Sequence, residues 1–229
     1  MSLLIGIRGA DFVVILTDGM SVRMKDGQPV PVKLDQRKIF PIHDLPCALV
    51  HHGLNEVGGV GIEQLLTNQT FTRMQARSWS KGLNVALART ITHLDAPVSQ
   101  TMKSLAKPFT FGLWFAGLWP CTRLPELTEL VWHEPTPKRV RTIIKPHESL
   151  VIGGSGMRFI RDYLSPPADK DIDVSKIGSS PSGYSMELIK RLYDVAIRRQ
   201  RAEGKPPIFG GQRQMAVITR DGVDHGPLP

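Results

Sequence analysis

The chain has 229 residues, 41% of them hydrophobic and 22% charged, with a formal net charge of +8 at pH 7. That length suits a single domain spanning residues 1–229 with a substantial core, and no apolar run approaches the roughly 18 uninterrupted residues of a membrane-spanning helix. Lys and Arg are dispersed: the densest groups, "PKRVRTIIK" and "IRRQR", read as a strand face and a helix end without interleaved aromatics, so a solvated basic surface is expected rather than a nucleic-acid partner.

Residues 3–8, "LLIGIR", and 12–18, "FVVILTD", are β-rich runs joined by "GAD" at the spacing of a tight hairpin. Arg8 and Asp11 interrupt the apolar start, and neither a basic leader nor a small-residue cleavage pattern is present, so no signal peptide is expected and the compartment read from the sequence is the cytoplasm. Cys47 in "PCALV" and Cys121 in "LWPCT" are far apart within apolar runs, which fits buried free thiols in a reducing compartment. A polar segment follows with the turn pair Asp26-Gly27. It leads into "RKIFPI" and "CALVHHG", two strands separated by the turn-like "HDLP". Four or five strands thus precede any helix.

From Glu56 to about Gln75 the pattern is helical, and "KGLNVALARTITHL" places Leu83, Leu87, Ile91 and Leu94 on one apolar stripe. "FTFGLWFAG", "LTELVWHE", "RVRTIIK" and "SLVIGG" read as four strands of a second antiparallel sheet. "MRFIRDYL" and "SMELIKRLYDVAIRRQ" return to helix, the latter with Met186, Ile189, Leu192, Tyr193 and Ala196 on one face, and "RQMAVITRDG" closes with a strand. "LSPPADKDIDVSKIGSSPSG" and "EGKPPIFGGQ" are surface connections. Strands, helices, strands, helices and a strand in that order predict layered α+β packing with helices outside sheets, not a parallel βαβ repeat. His43, His51 and His52 have no Cys or carboxylate at ligand spacing, so no metal is expected.

The arrangement resembles a proteasome-type N-terminal-nucleophile hydrolase over most of the chain. "LLIGIRGADFVVILTD" is similar to the opening hairpin of proteasome β-subunits; registered on Gly6, it puts Ser2 at the nucleophile position and Asp18 at the acidic one. "RKIFPI" makes Lys38 the counterpart of the active-site lysine. "HHGLNEVGG" matches the strand-end glycine of the oxyanion hole at Gly53, and "VIGGSGM" matches the turn that brings a hydroxyl, here Ser155, towards the N-terminus. "QMAVITRDG" resembles the last core strand, and His51 falls at a position that lines a substrate pocket in the family. The resemblance implies a four-layer αββα sandwich, two stacked antiparallel sheets flanked by helices. It further implies hydrolysis of peptide or unfolded-protein substrates inside a ring-like homo-oligomer, with no cofactor and with an ATPase partner left unassigned.

The sequence also departs from that pattern. Met20 stands where many active members have arginine. The loop before the last strand carries Glu203 as its only carboxylate and has no serine, where the family has an Asp and a Ser. The opening is also similar to non-catalytic β-subunits that keep their methionine.

If Met1 is removed, Ser2 carries a hydroxyl and a free α-amine, and the amine can serve as the hydroxyl's base. Its unperturbed pKa of about 7.7–8.0 would be depressed by the Lys38 ammonium, with Asp18 holding the lysine. A backbone N–H at Gly53 would stabilise the oxyanion. If Met1 stays, the site is inert and the chain is a structural subunit; a basic binding module using the fold as scaffold is a third reading. Each residue also has a bland role open to it: Asp18 as a strand-ending turn residue, Lys38 as a solvent-facing strand residue, Gly53 as a bulge and Ser155 as a helix N-cap.

Overall fold

The computed structural model describes residues 2–25, 28–105, 110–118, 120, 124–133, 138–143, 149–164, 177 and 179–228. Met1, the Asp26-Gly27 turn, Cys121 and most of the "LSPPADKDIDVSKIGSSPSG" connection lie outside the described residues. Among those residues the fold is mixed α+β, with five helices and four antiparallel sheets.

The opening hairpin forms as the apolar runs dictate. Leu4–Arg8 (β1) pairs with Val13–Thr17 (β2) in the register Gly6↔Ile15, closed by a hydrogen bond from the Gly9 N–H to the Phe12 carbonyl. All of β2 and nearly all of β1 is buried, as expected where both faces of a sheet are covered and the sequence shows no polar alternation.

Next come the Ser21–Lys25 (β3) and Gln28–Lys33 (β4) hairpin, then Ile39–Pro41 (β5) and Cys47–His52 (β6). The single helix expected from Glu56 to Gln75 is instead a small hairpin followed by two helices. Glu56–Val57 (β7) and Val60–Gly61 (β8) form a small hairpin around Gly58 and Gly59, both at positive φ. Ile62–Thr67 (α1) then stops at Asn68, whose backbone leaves the helical region and whose side chain accepts from Thr70 N–H at 2.8 Å and Phe71 N–H at 3.4 Å, capping Gln69–Trp79 (α2). A short polar side chain competes well for backbone donors at a helix start and poorly inside one, so the helix breaks there.

Leu83–Lys103 (α3) runs past the end of the expected stripe and through Pro97. Thr110–Leu118 (β9), Pro125–His133 (β10), Lys138–Ile143 (β11) and Leu150–Gly153 (β12) follow, then Met157–Leu164 (α4), Ser182–Ala202 (α5), Gln214–Thr219 (β13) and Gly222–Pro227 (β14).

The pairing does not follow chain order. One five-stranded sheet runs β12-β1-β2-β13-β14 and the other β11-β10-β9-β6-β5. "SLVIGG", expected in the second sheet, therefore pairs with β1, with Ile5 opposite Ile152. β14 was not expected from the sequence: its two glycines, proline and half-exposed positions give weak strand propensity, and pairing with β13 makes it a strand.

Three buried clusters organise the core. One joins Leu3, Ile5, Ile7, Val14 and Leu16 to side chains of α4 and α5. A second joins Phe40, Leu49, Phe111, Phe115 and Trp132 to α1, α2 and α3, with Leu83, Leu87 and Leu94 buried and Ile91 partly so, as the stripe predicts. The third joins Leu4, Val13, Ile15, Ala216 and Ile218 to Ile39, Val50, Trp114, Ala116 and Leu127. Cys47 is a buried free thiol, its pKa pushed up by burial. None of the described helices is long and apolar enough to cross a membrane.

Gly6 sits where the third cluster is tightest: a Cβ there would lie 2.6 Å from Leu127 Cδ2 and 3.0 Å from Trp114 Cζ3. Gly6→Ala is expected to lower the free energy of unfolding by about 1–3 kcal/mol, as overpacking of a dense core does, measured by urea denaturation.

Candidate functional site

Ser2, Asp18 and Lys38 converge although they lie on three separate segments. The segment just ahead of β1 supplies Ser2, the residue after β2 supplies Asp18, and the residue ahead of β5 supplies Lys38. All three are buried, with Lys38 only 1% exposed and Asp18 fully enclosed. The Lys38 ammonium has three N–H donors and three oxygens at 2.9 Å: Ser2 Oγ, Asp18 Oδ1 and the Met20 carbonyl. Burial lowers the Lys38 pKa from its ordinary value, while the charge of Asp18 and the hydrogen bond to it oppose the shift.

The Asp18 carboxylate accepts from four groups. Oδ1 takes the Leu3 N–H at 2.9 Å and Lys38 Nζ; Oδ2 takes the N–H groups of Met20 and Gly210, each at 3.2 Å. Nearly every lone-pair position of the carboxylate is thereby used, the condition under which a buried charge is tolerated.

Gln214, at the start of β13, fixes the Lys38 segment. Its Oε1 accepts from the Lys38 N–H at 2.9 Å and its Nε2 donates to the Gln36 carbonyl at 2.6 Å. Neither Gln214 nor Gly210 was singled out in the sequence. A glutamine opening the otherwise apolar "QMAVIT" was the available signal, since a buried amide must find partners.

The other expected site residues are placed differently. Ser155 is exposed, and what its turn gives Ser2 is backbone: the Gly156 N–H donates to the Ser2 carbonyl at 3.1 Å. Gly154, at φ +76°, is needed because a Cβ would collide with that same carbonyl. Gly53 follows β6 at φ +93°, where a Cβ would run into the Thr110 carbonyl. Glu203 caps the end of α5 and pairs with Arg158 at 2.7 Å instead of reaching Ser2.

His51 and His52 point to opposite faces of β6, as strand alternation requires. His52 Nε2 lies 2.8 Å from Glu129 Oε1, which also accepts from Trp114 Nε1 at 2.9 Å. His51 is fully buried, its ring centroid 6.0 Å from that of Phe40, and its backbone N–H donates to the Lys38 carbonyl. Neither ring nitrogen has a hydrogen-bond partner of ordinary geometry among the described residues. Burial, then the charges of Lys38 and His52, drive its pKa well below the usual value, with Asn55 nearby opposing the shift, so the imidazole is neutral.

No protein-family model matches the chain, and no curated protein matches it in sequence.

Removing one partner of the buried pair strands the other. Asp18→Asn, which also replaces an acceptor oxygen with an NH2 donor facing N–H donors, is expected to cost about 3–5 kcal/mol of stability in urea unfolding.

The pH dependence of Lys38 has a definite sign. Its folded pKa lies below the unfolded value near 10.5, so the unfolded state binds the extra proton between the two. The stability of wild type relative to Lys38→Met should therefore rise as pH goes from the folded pKa towards 10.5, measured by urea unfolding of both proteins at pH 7 and pH 10. A relative stability that falls over that interval would show that the folded protein prefers the ammonium.

Proposed function

We propose that the chain is a proteasome-type N-terminal-nucleophile hydrolase that cleaves peptide bonds through Ser2 once Met1 has been removed. The observation that carries this reading is the buried lysine amine 2.9 Å from the Ser2 hydroxyl and 2.9 Å from a carboxylate. A serine hydroxyl gains nothing structurally from a lysine taken out of water, whereas a nucleophile gains a nearby charge and proton acceptor.

In the proposed reaction Ser2 Oγ attacks the scissile carbonyl carbon and gives its proton to the freed α-amine, with Lys38 donating to the developing alkoxide. The C–N bond then breaks, the proton passes to the leaving amine, and water hydrolyses the ester. Two Lys38 donors are committed to Asp18 and the Met20 carbonyl, so the third position faces Oγ. When Lys38 is neutral, that position can take the serine proton itself. Gly53 is the proposed oxyanion donor and Ser155 a supporting hydroxyl that would have to turn inward. No cofactor is needed for this chemistry.

The core clusters support the finer architecture, a four-layer αββα sandwich. One cluster joins side chains of both five-stranded sheets, and each of the other two joins one sheet to its own helices. On this reading residues 1–229 form one domain that works in the cytoplasm within a ring-like homo-oligomer on peptide or unfolded-protein substrates. A second reading, a non-catalytic subunit of such an assembly, is favoured by the 2% exposure of Ser2, which leaves that residue almost closed to a substrate.

An α′,β′-epoxyketone peptide, which closes a ring only with a hydroxyl and a free α-amine on the same residue, separates the two readings. Intact-mass measurement is expected to show loss of Met1 and one adduct on wild type, none on Ser2→Ala, and labelling at least about 100-fold slower for Lys38→Met. A chain that keeps Met1 in its own host and takes no adduct establishes the structural subunit. An equal adduct on Ser2→Ala removes Ser2 as nucleophile.

A further inference from the structure

Beside the Asp18–Lys38 pair lies a cavity of about 580 Å³ that has no part in the reaction proposed above. It shares a wall with the pair: Met20, whose carbonyl accepts from Lys38, and Gly210, whose N–H donates to Asp18, both line it. Its size falls within the range of small-molecule sites.

Two kinds of surface meet there. Leu34, Ile197, Pro207 and Phe209 make it apolar, and Leu34 stays 56% exposed, a large aliphatic side chain left in water beside the cavity mouth. The charged lining residues are Arg201, Lys205 and Arg213 against a single carboxylate, Asp194. Arg213 bonds Asp194 at 3.3 Å and Lys205 lies 4.0 Å from Glu203, while Arg201 makes no ion pair among the described residues. The lining also includes Tyr193. Its hydroxyl is closed off from solvent without a partner among the described residues, the only such buried atom on a residue of this cavity.

We propose that this cavity binds an aliphatic monocarboxylate, its chain against Leu34, Ile197 and Phe209 and its carboxylate at Arg201 and Lys205. The anion carries one charge rather than several because the site lies along the last turns of α5, where the carbonyl end of the helix repels concentrated negative charge. A nucleotide is disfavoured because the lining aromatics, Tyr193 and Phe209, are buried in the core cluster and offer no open face for a base.

Isothermal titration of the full chain with sodium octanoate, 1-octanol and sodium acetate tests the assignment. Saturable octanoate binding is expected, at least tenfold tighter than that of octanol or acetate, and reduced at least tenfold in R201Q/K205Q, whose two side chains are exposed. Ser2→Ala is expected to bind octanoate like wild type, so the result stands apart from the catalytic reading. No saturable octanoate binding, equal binding of octanol or acetate, an unchanged R201Q/K205Q, or loss of binding in Ser2→Ala would overturn it.

Discussion

The structure turns on one buried ion pair, Asp18 with Lys38. Taking a carboxylate and an ammonium out of water costs several kcal/mol for each ion, and their attraction repays this only when the remaining hydrogen-bonding positions are filled. Here they are filled: the carboxylate receives Leu3 from just ahead of β1, Met20 from just beyond β2, Gly210 from the loop ahead of β13, and Lys38 from the segment ahead of β5. Four stretches that are distant in sequence are thus fixed to one pair of oxygens. A well-packed hydrophobic replacement of such a pair is often neutral or stabilising, so stability alone does not account for it. On the reading proposed above, its chemistry at the adjacent Ser2 hydroxyl is the remaining reason for it.

The geometry at Ser2 is a consequence of how the two large sheets are delivered to each other. β1 and β2 belong to one, β5 to the other, and Leu4 and Ile15 share a buried cluster with Ile39, the residue next to Lys38. Gln214 adds a second tie from the first sheet, holding the backbone on both sides of Arg37 through Gln36 and Lys38. With its main chain clamped, Lys38 can hold its amine on three acceptors at once. A loose surface lysine would lose much rotamer entropy to do the same.

Local patterns carried much of this into the sequence. The opening hairpin, the stripes of α3 and α5 and the strands β5, β6, β9 and β10 are written in side-chain periodicity, which burial then enforces. What periodicity does not encode is partnership. β12 reads as a strand, but nothing within "SLVIGG" says that its neighbour is β1, 149 positions away in the Leu4↔Gly153 register, rather than β11. The break at Asn68 was written in a capping residue and overridden by apolar content on both sides. Ser2, Asp18 and Lys38 were legible through the resemblance, whereas Gln214 and Gly210 act on residues nearly two hundred positions earlier and leave no local trace.

The loop ahead of β13 shows how a site can be supported without side chains. It offers no Asp or Ser, and its only acid, Glu203, turns away to Arg158. It reaches Asp18 with the N–H of Gly210, at φ +145°, and is anchored by the Gln212 N–H on the Leu34 carbonyl at 2.6 Å. Gly211, at φ +72°, follows because a Cβ there would strike the same Leu34 carbonyl. Both glycines occupy conformations that other residues adopt only under strain, so the constraint falls on the path of the main chain and not on any functional group. A search for an acid or hydroxyl near Ser2 would pass this loop over, yet it contributes one of the four hydrogen bonds that the buried carboxylate accepts.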